Sequence, residues 1–367
     1  MRAGSKTVSS PYPASSGPRG AERAGEVLSQ VSRRRFLQAG ATALGGVFAA
    51  GPAARLSAAV LSASVRSASA RPRRSSQSEV GANAGQQPSL RISTVDLGGA
   101  TLLQGAGCNV IALRNAGNAG GTDGALMIDG GLAANADALL TAVKNATGSS
   151  RIHTLINTHW HPEQTGANEA VGRGGGVIFA HEKTKVSLSN TVYSVTFTGR
   201  RPPLPEAARP TRTTRSDGSL EFGDQKIDYG YMPAAHTDGD LYVHFPGMNM
   251  LVAGGVVSAE EWPLLDHRNG AWLGGRVRAL ERLATLVKPD TRVVPANGRV
   301  MTGSEIVRHR DMYQKLYLTM IDYLNMGLGP EDAVERNPLK QYQPEFGDPS
   351  TFTYGAMRSM MIAYVPD

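Results

Sequence analysis

The sequence predicts an α/β fold, because short β-like runs alternate with amphipathic stretches, glycines punctuate the runs, and 41% of the 367 residues are hydrophobic. That much apolar material supports a large single core and rules out disorder throughout. Leu90–Val95, Asn109–Leu113 and Ala125–Ile128 read as strands, the last closing on Asp129-Gly130-Gly131. Ala138, Leu139 and Val143 stand at helical spacing, which predicts a helix over Asn135–Asn145, and Arg151–Asn157 returns to a strand pattern. The unit is βαβ-like. A second pass gives a short helix near Asn168–Val171, strand Val177–Ala180, a hairpin-like Leu220–Met232, strands Leu241–Phe245 and Met250–Ala253, helix Gly275–Val287 and strand Arg292–Val294. Glu305–Leu324 continues as a helix with a broad apolar face that includes Ile306, Met312, Tyr313, Leu316 and Met320. Ser187–Ser219, containing Arg200-Arg201-Pro202-Pro203, reads as a long surface loop.

Ahead of this body lies an expected leader. Ser32-Arg33-Arg34-Arg35-Phe36-Leu37 opens a stretch uncharged from Phe36 to Ala54, and Ala68-Ser69-Ala70 has the small-x-small form of a cleavage site. Residues 1–70 are therefore read as a signal peptide resembling the twin-arginine type, which implies a bacterial protein handed to the twin-arginine export machinery and released to the periplasm or beyond. The Ala/Gly-rich run, broken by Pro52, matches a membrane span poorly, so no stable span is expected after processing. Residues 71–89 read as a flexible linker. The net charge of +7 belongs to the leader: it carries nine Lys/Arg and two Asp/Glu, leaving 29 of each sign from Arg71 onward. A body of zero net charge has no electrostatic footprint for nucleic acid. With Cys108 as the single cysteine, neither an intramolecular disulfide nor a cysteine-based metal cluster can form.

The chemistry-bearing residues stand at the ends of the predicted strands. After Arg151–Asn157 comes Thr158-His159-Trp160-His161-Pro162-Glu163-Gln164-Thr165-Gly166. On extended backbone, residues i and i+2 point the same way, so the two imidazoles can converge on one cation. Pro162 then stops further pairing. His236, in Pro233-Ala234-Ala235-His236-Thr237-Asp238-Gly239-Asp240, is a third candidate on a loop between β-like runs. Three neutral donors leave one coordination position open.

On these residues, Leu90–Val300 resembles the metallo-β-lactamase superfamily of metal-dependent hydrolases. The landmarks occur in the family's order: Ile128-Asp129, the Thr158–Gly166 motif, His236-Thr237-Asp238-Gly239, Gly254-Gly255 and Pro295-Ala296-Asn297-Gly298. The resemblance implies a four-layer αββα sandwich over residues 90–300, with the metal at one edge and residues 301–367 forming a helical C-terminal extension packed on it. It implies also that His159, His161 and His236 are the three imidazoles of one metal site. Four positions depart from the family's pattern: Glu163 replaces Asp, Gln164 and Asn297 replace His, and Gly255 replaces the Asp that usually bridges two metals. One ion, zinc, is therefore expected rather than two.

Three imidazoles with an open fourth position are the ligand set by which zinc activates water, so the first reading is an exported hydrolase of a small carbonyl-type substrate. Glu163, the carboxylate within the motif, is the candidate general base, and Gln164 and Asn297 are candidates to position water. Asp129 either orients a ligand histidine or forms a turn before Gly-Gly. A second reading is a non-catalytic periplasmic binding or scaffold protein, and a third has iron at the same site, since imidazole suits both metals. Asp238 and Asp240 read as an ordinary loop in preference to partners of His236, His181 and His244 as structural, and Arg200, Arg201, Arg212 and Arg215 as a solvated rim in preference to a grip on a substrate carboxylate.

Overall fold

Two β-sheets face each other, each covered on its outer side by helices. The computed structural model describes residues 91–115 and 124–364; the expected leader and linker lie outside the described residues. Strands β1 (Ser93–Asp96), β2 (Ala100–Gln104), β3 (Val110–Leu113) and β4 (Ala125–Ile128) run antiparallel in succession. Helix α1 (Ala136–Thr147) crosses to β5 (Ile152–Ile156), parallel to β4; α2 (Pro162–Thr165) and α3 (Asn168–Arg173) lead to β6 (Val177–His181), parallel to β5. After α4 (Glu182–Ser189) and a small antiparallel pair, β7 (Val192–Tyr193) and β8 (Arg200–Arg201), strand β9 (Arg212–Thr214) closes a seven-stranded sheet in the order 1-2-3-4-5-6-9. The second sheet holds β10 (Gly218–Phe222), β11 (Gln225–Met232), β12 (Asp240–Phe245), β13 (Met250–Gly254), β14 (Arg292–Pro295) and β15 (Met301–Thr302) in sequence order. Helix α5 (Leu273–Leu286) makes the parallel crossover from β13 to β14. The chain then turns helical: α6 (Gly303–Asn325), α7 (Pro330–Arg336), α8 (Gln343–Phe346) and α9 (Ser350–Tyr364).

Period-two alternation builds the layers. Leu126 and Ile128 of β4 join Leu241 and Val243 of β12 between the sheets, while Ala125 and Met127 face the other way, onto Leu139 and Val143 of α1. Across the second sheet, Val252 and Val294 point into the same inter-sheet core, and Leu251, Ala253 and Val293 point outward onto Leu280 and Leu283 of α5 and Met312, Leu316 and Met320 of α6. Three apolar clusters separate four layers, the αββα sandwich. The strands bury both faces, which is why β4 and β13 read as unbroken apolar runs.

The main departures from the sequence reading come where strands are short or polar. Residues 187–219 are not a structureless loop: they carry the end of α4, β7, β8, β9 and the start of β10. Arg212–Thr214 has no alternating pattern to announce it and becomes a strand by pairing beside β6. Strand β2 was likewise not anticipated, and the first strand begins at Ser93 rather than Leu90, with all four residues exposed and so without an apolar cue. Helix α6 starts two residues ahead of Glu305 because Glu305 is the third residue of a capping box whose cap is Thr302.

Candidate metal centre

The sheet edge is shaped by where the backbone leaves the ladder. Strand β5 ends at Ile156; the Asp129 N–H donates to its carbonyl at 2.8 Å, and the chain then runs through Asn157–His161 before Pro162 opens α2 with His161 as its cap. The His236 loop joins β11 to β12. The Leu241 N–H donates to the Thr158 carbonyl at 2.8 Å, so the first residue pairs of the two sheets' site loops are tied together directly.

His159, His161 and His236 meet there, all buried, with one nitrogen of each lying within 4.8 Å of the others. The His236 Nε2 to His161 Nδ1 distance is 3.1 Å. Nitrogens bound tetrahedrally at zinc-like bond lengths stand about 3.3 Å apart, so the cluster is of the size such an ion needs.

Each imidazole has its other nitrogen engaged. His236 Nδ1 lies 2.8 Å from the Leu264 carbonyl, an acceptor, so Nδ1 carries the proton and Nε2 a lone pair. His161 Nε2 lies 3.1 Å from the Asp266 carboxylate, which leaves Nδ1 bare. His159 Nδ1 faces the Thr158 hydroxyl at 3.1 Å, and that hydroxyl's proton goes to Asp129 at 2.8 Å, so the ring donates to the hydroxyl oxygen and Nε2 is bare. Nε2 of His159 is buried without a partner. Burial foremost, and then repulsion from the neighbouring imidazoles, hold the pKa of His159 well below its ordinary value; burial followed by the charges of His161 and Arg276 does the same to His236. Both rings are thus kept in the neutral form that ligates metal. A shared cation is what satisfies three converging lone pairs at once, and the donor set fits one.

Several residues hold this arrangement. Asp129 sits at φ 62°, a left-handed turn position, and its carboxylate also accepts the Thr158 N–H at 2.7 Å; turn former and orienting group are the same residue. Burial raises the Asp129 carboxyl to about 8 against the lowering effect of those hydrogen bonds. Asp240 is more than an ordinary loop residue: it accepts from the N–H groups of His236 and Thr237 at 2.7 and 2.9 Å and fixes the His236 loop. Asp266 takes Ser194 Oγ at 2.7 Å and Asn269 Nδ2 at 2.8 Å besides His161. Burial acts to raise its pKa, but the bonds from His161, Ser194 and Asn269 outweigh that and leave it lowered. Asp266 and the Leu264 carbonyl carried no sequence signal, since their partners are distant in the chain and one is backbone; Thr158, inside the motif, did.

The opposite wall is built differently. The Glu163 carboxylate, 30% exposed, lies 3.9 Å from His161 Nδ1. Gln164 is fully buried, and neither end of its amide has a hydrogen-bond partner. Glu163, Gln164 and Asn297 line one cleft of about 360 Å³ with His159 and His236. A Cβ on Gly255 would stand 2.2 Å from His236 Cδ2, so no side chain fits there while that ring holds this orientation. The buried Arg276 guanidinium pins the segment by donating to the Gly255 and Val256 carbonyls. Of the expected solvated rim, Arg201 departs: it donates to the Trp160 carbonyl at 3.1 Å and the Thr165 hydroxyl at 3.3 Å, bracing the histidine motif from outside.

A sandwich with three converging imidazoles at its loop-bearing edge is the architecture shared by a superfamily of metal-dependent hydrolases. The model of the Metallo-beta-lactamase superfamily matches residues 104–298, and the chain belongs to that superfamily. A curated relative, a metallo-beta-lactamase type 2 of Bacillus sp. (strain 170), is 25% identical over 150 residues, 41% of this chain and 53% of its own length, so the chain spans about half of that relative. Among solved structures, a metallo-beta-lactamase from Pontibacter korlensis is 22% identical with a TM-score of 0.45, covering 61% of this chain and 93% of its own. The DIM-1 metallo-beta-lactamase is 16% identical with a TM-score of 0.48, covering 62% and 98% respectively.

Proposed function

We propose that this protein is an exported hydrolase that uses a single zinc ion held by His159, His161 and His236 to cleave a small carbonyl compound. The observation that carries the reading is the set of three buried imidazoles whose far nitrogens are all engaged, so that three lone pairs converge. When bound, such an ion acidifies water and polarises a carbonyl oxygen. The chain's own residues supply the rest. Glu163, partly exposed at the cleft and 3.9 Å from a ligand nitrogen, accepts a proton from the attacking water. Gln164 and Asn297 offer amide N–H groups to the oxygen on which negative charge develops. One ion rather than two follows from Gly255, which brings no donor and no space for one. Amide oxygens at 164 and 297 are likewise poorer zinc donors than imidazole.

Metal counting on purified mature protein tests the reading, with a panel of esters, lactones, thioesters and β-lactams assayed on the same sample. One zinc per chain and turnover proportional to zinc support it. Iron in place of zinc would redirect it to redox chemistry, and full loading without turnover would make the protein a binding or scaffold member. Glu163→Gln should lower kcat about 100-fold with metal content unchanged. The export part rests on Arg33-Arg34 and the uncharged run behind them. Replacing both by Lys should leave the protein in the cytoplasmic fraction, and unchanged export would remove that part.

A further inference from the structure

We infer that the substrate carries a positive or neutral group beside its scissile carbonyl, and that the cleft discriminates against carboxylate-bearing compounds. This rests on the hydrolase reading above and names its substrate class.

The cleft wall presents two carboxylates, Glu163 at the motif and Glu261 on the segment after β13, with the indole of Trp262 next to Glu261. Among the described residues its lining includes neither Lys nor Arg. Three arginines that flank or brace that lining are engaged elsewhere. Arg201 donates to Trp160 and Thr165; Arg299 is paired with Glu305 at 2.6 Å; Arg276 is buried on the carbonyls of Gly255 and Val256. None offers the planar fork that grips a substrate carboxylate. Apart from an ion on the imidazoles, an anionic group placed here meets two carboxylates and no cationic side chain of the lining, whereas an ammonium meets two carboxylates.

Gln164 is the second, independent pointer to a ligand. It is fully buried on the same wall with both amide ends unanswered by the protein, a desolvation that a bound group would relieve. A neutral amide asks for a neutral hydrogen-bonding group, such as the carbonyl or N–H of an ester or amide. The cleft thus pairs a neutral polar subsite near the imidazoles with an acidic mouth.

Three matched 4-nitrophenyl esters, whose acyl chains end in trimethylammonium, methyl or carboxylate, test this, together with the three corresponding uncleavable N-methyl amides. Binding of the amides to metal-depleted protein is measured by calorimetry, and kcat/KM of the esters on zinc-loaded protein at low and high salt. The cationic member should exceed the anionic one by about tenfold at low ionic strength in both assays, and the ratio should shrink in 0.5 M salt, a concentration at which the Debye length falls to roughly 4 Å. Glu261→Gln should narrow the ratio and Glu261→Lys invert it, with circular dichroism confirming that each variant is folded. Equal or tighter binding of the anionic amide, or a ratio unmoved by Glu261→Lys, overturns the inference. A binding preference without ester turnover sustains it and overturns the hydrolase reading instead.

Discussion

The two walls of the cleft differ in one respect above all. On the imidazole side every ring is locked from behind, by Leu264, by Asp266 or by Thr158 with Asp129, and only the inward nitrogens are free. On the opposite side Gln164 is just as buried but nothing holds either end of its amide. The lesson is that burial alone does not make a ligand. A donor is metal-competent when its second polar atom is fixed, because the lone pair then has one direction; a donor free at both ends is left for a molecule that comes and goes.

Removing a ring breaks this contrast most severely. His161→Ala should abolish stoichiometric metal and lower turnover by more than about 100-fold, beyond what loss of an orienting partner causes. Metal content by elemental analysis and kcat/KM on one sample check it, and wild-type loading would refute the shared site. Gly255→Ala touches no donor atom yet forces the His236 ring away from the focus, since the new Cβ would lie 2.2 Å from Cδ2. Its cobalt or zinc affinity should fall about 10- to 100-fold. Asp266→Asn keeps an acceptor for His161 but loses the charge, and about a tenfold loss of affinity is expected, read from the visible spectrum of the cobalt form. Gln164→Met sharpens the contrast from the other wall: metal content should stay, the folded state should gain about 1 kcal/mol because an unanswered amide is removed, and turnover should fall. A lower Tm in that variant would mean that the amide is answered in solution.

His309 supplies a test remote from the cleft, a buried imidazole with a free nitrogen on which, among the described residues, no other metal-ligating groups converge. Burial pushes its pKa from 6.5 down to about 4. The unfolded chain therefore takes up a proton before the folded one, and the stabilisation present above pH 6.5 is lost as pH falls toward 4, to the extent of about 3 kcal/mol. Urea unfolding at pH 7 and pH 4.5 should show the loss, and His309→Leu should reduce it.

Legibility from sequence followed the range over which each signal acts. Ala125–Ile128 could be read to the residue because both its faces are buried and its apolar run is unbroken. His159 and His161 were legible because i and i+2 at a strand end need no knowledge of the rest of the fold, and His236 through its Thr-Asp-Gly surroundings. Asp266 was not, because its bond to His161 spans 105 positions and nothing in Leu265-Asp266-His267 marks it. Gly255 read as the loss of a donor, whereas the coordinates add that the His236 ring lies against its backbone. Arg212–Thr214 stayed hidden because pairing, not pattern, makes it a strand.

The outer face of the second sheet is covered by α5, α6 and α9: Leu251 and Ala253, on the strand leading to Gly255, share an apolar cluster with Leu280, Tyr313, Phe352 and Met357. During synthesis that face is not fully covered until α9 has emerged, although the histidine pair was made some two hundred residues earlier. A version truncated at Val300 would be a sticky, half-built domain, with the His236 ring and its neighbouring loop resting on a sheet whose back is only partly covered.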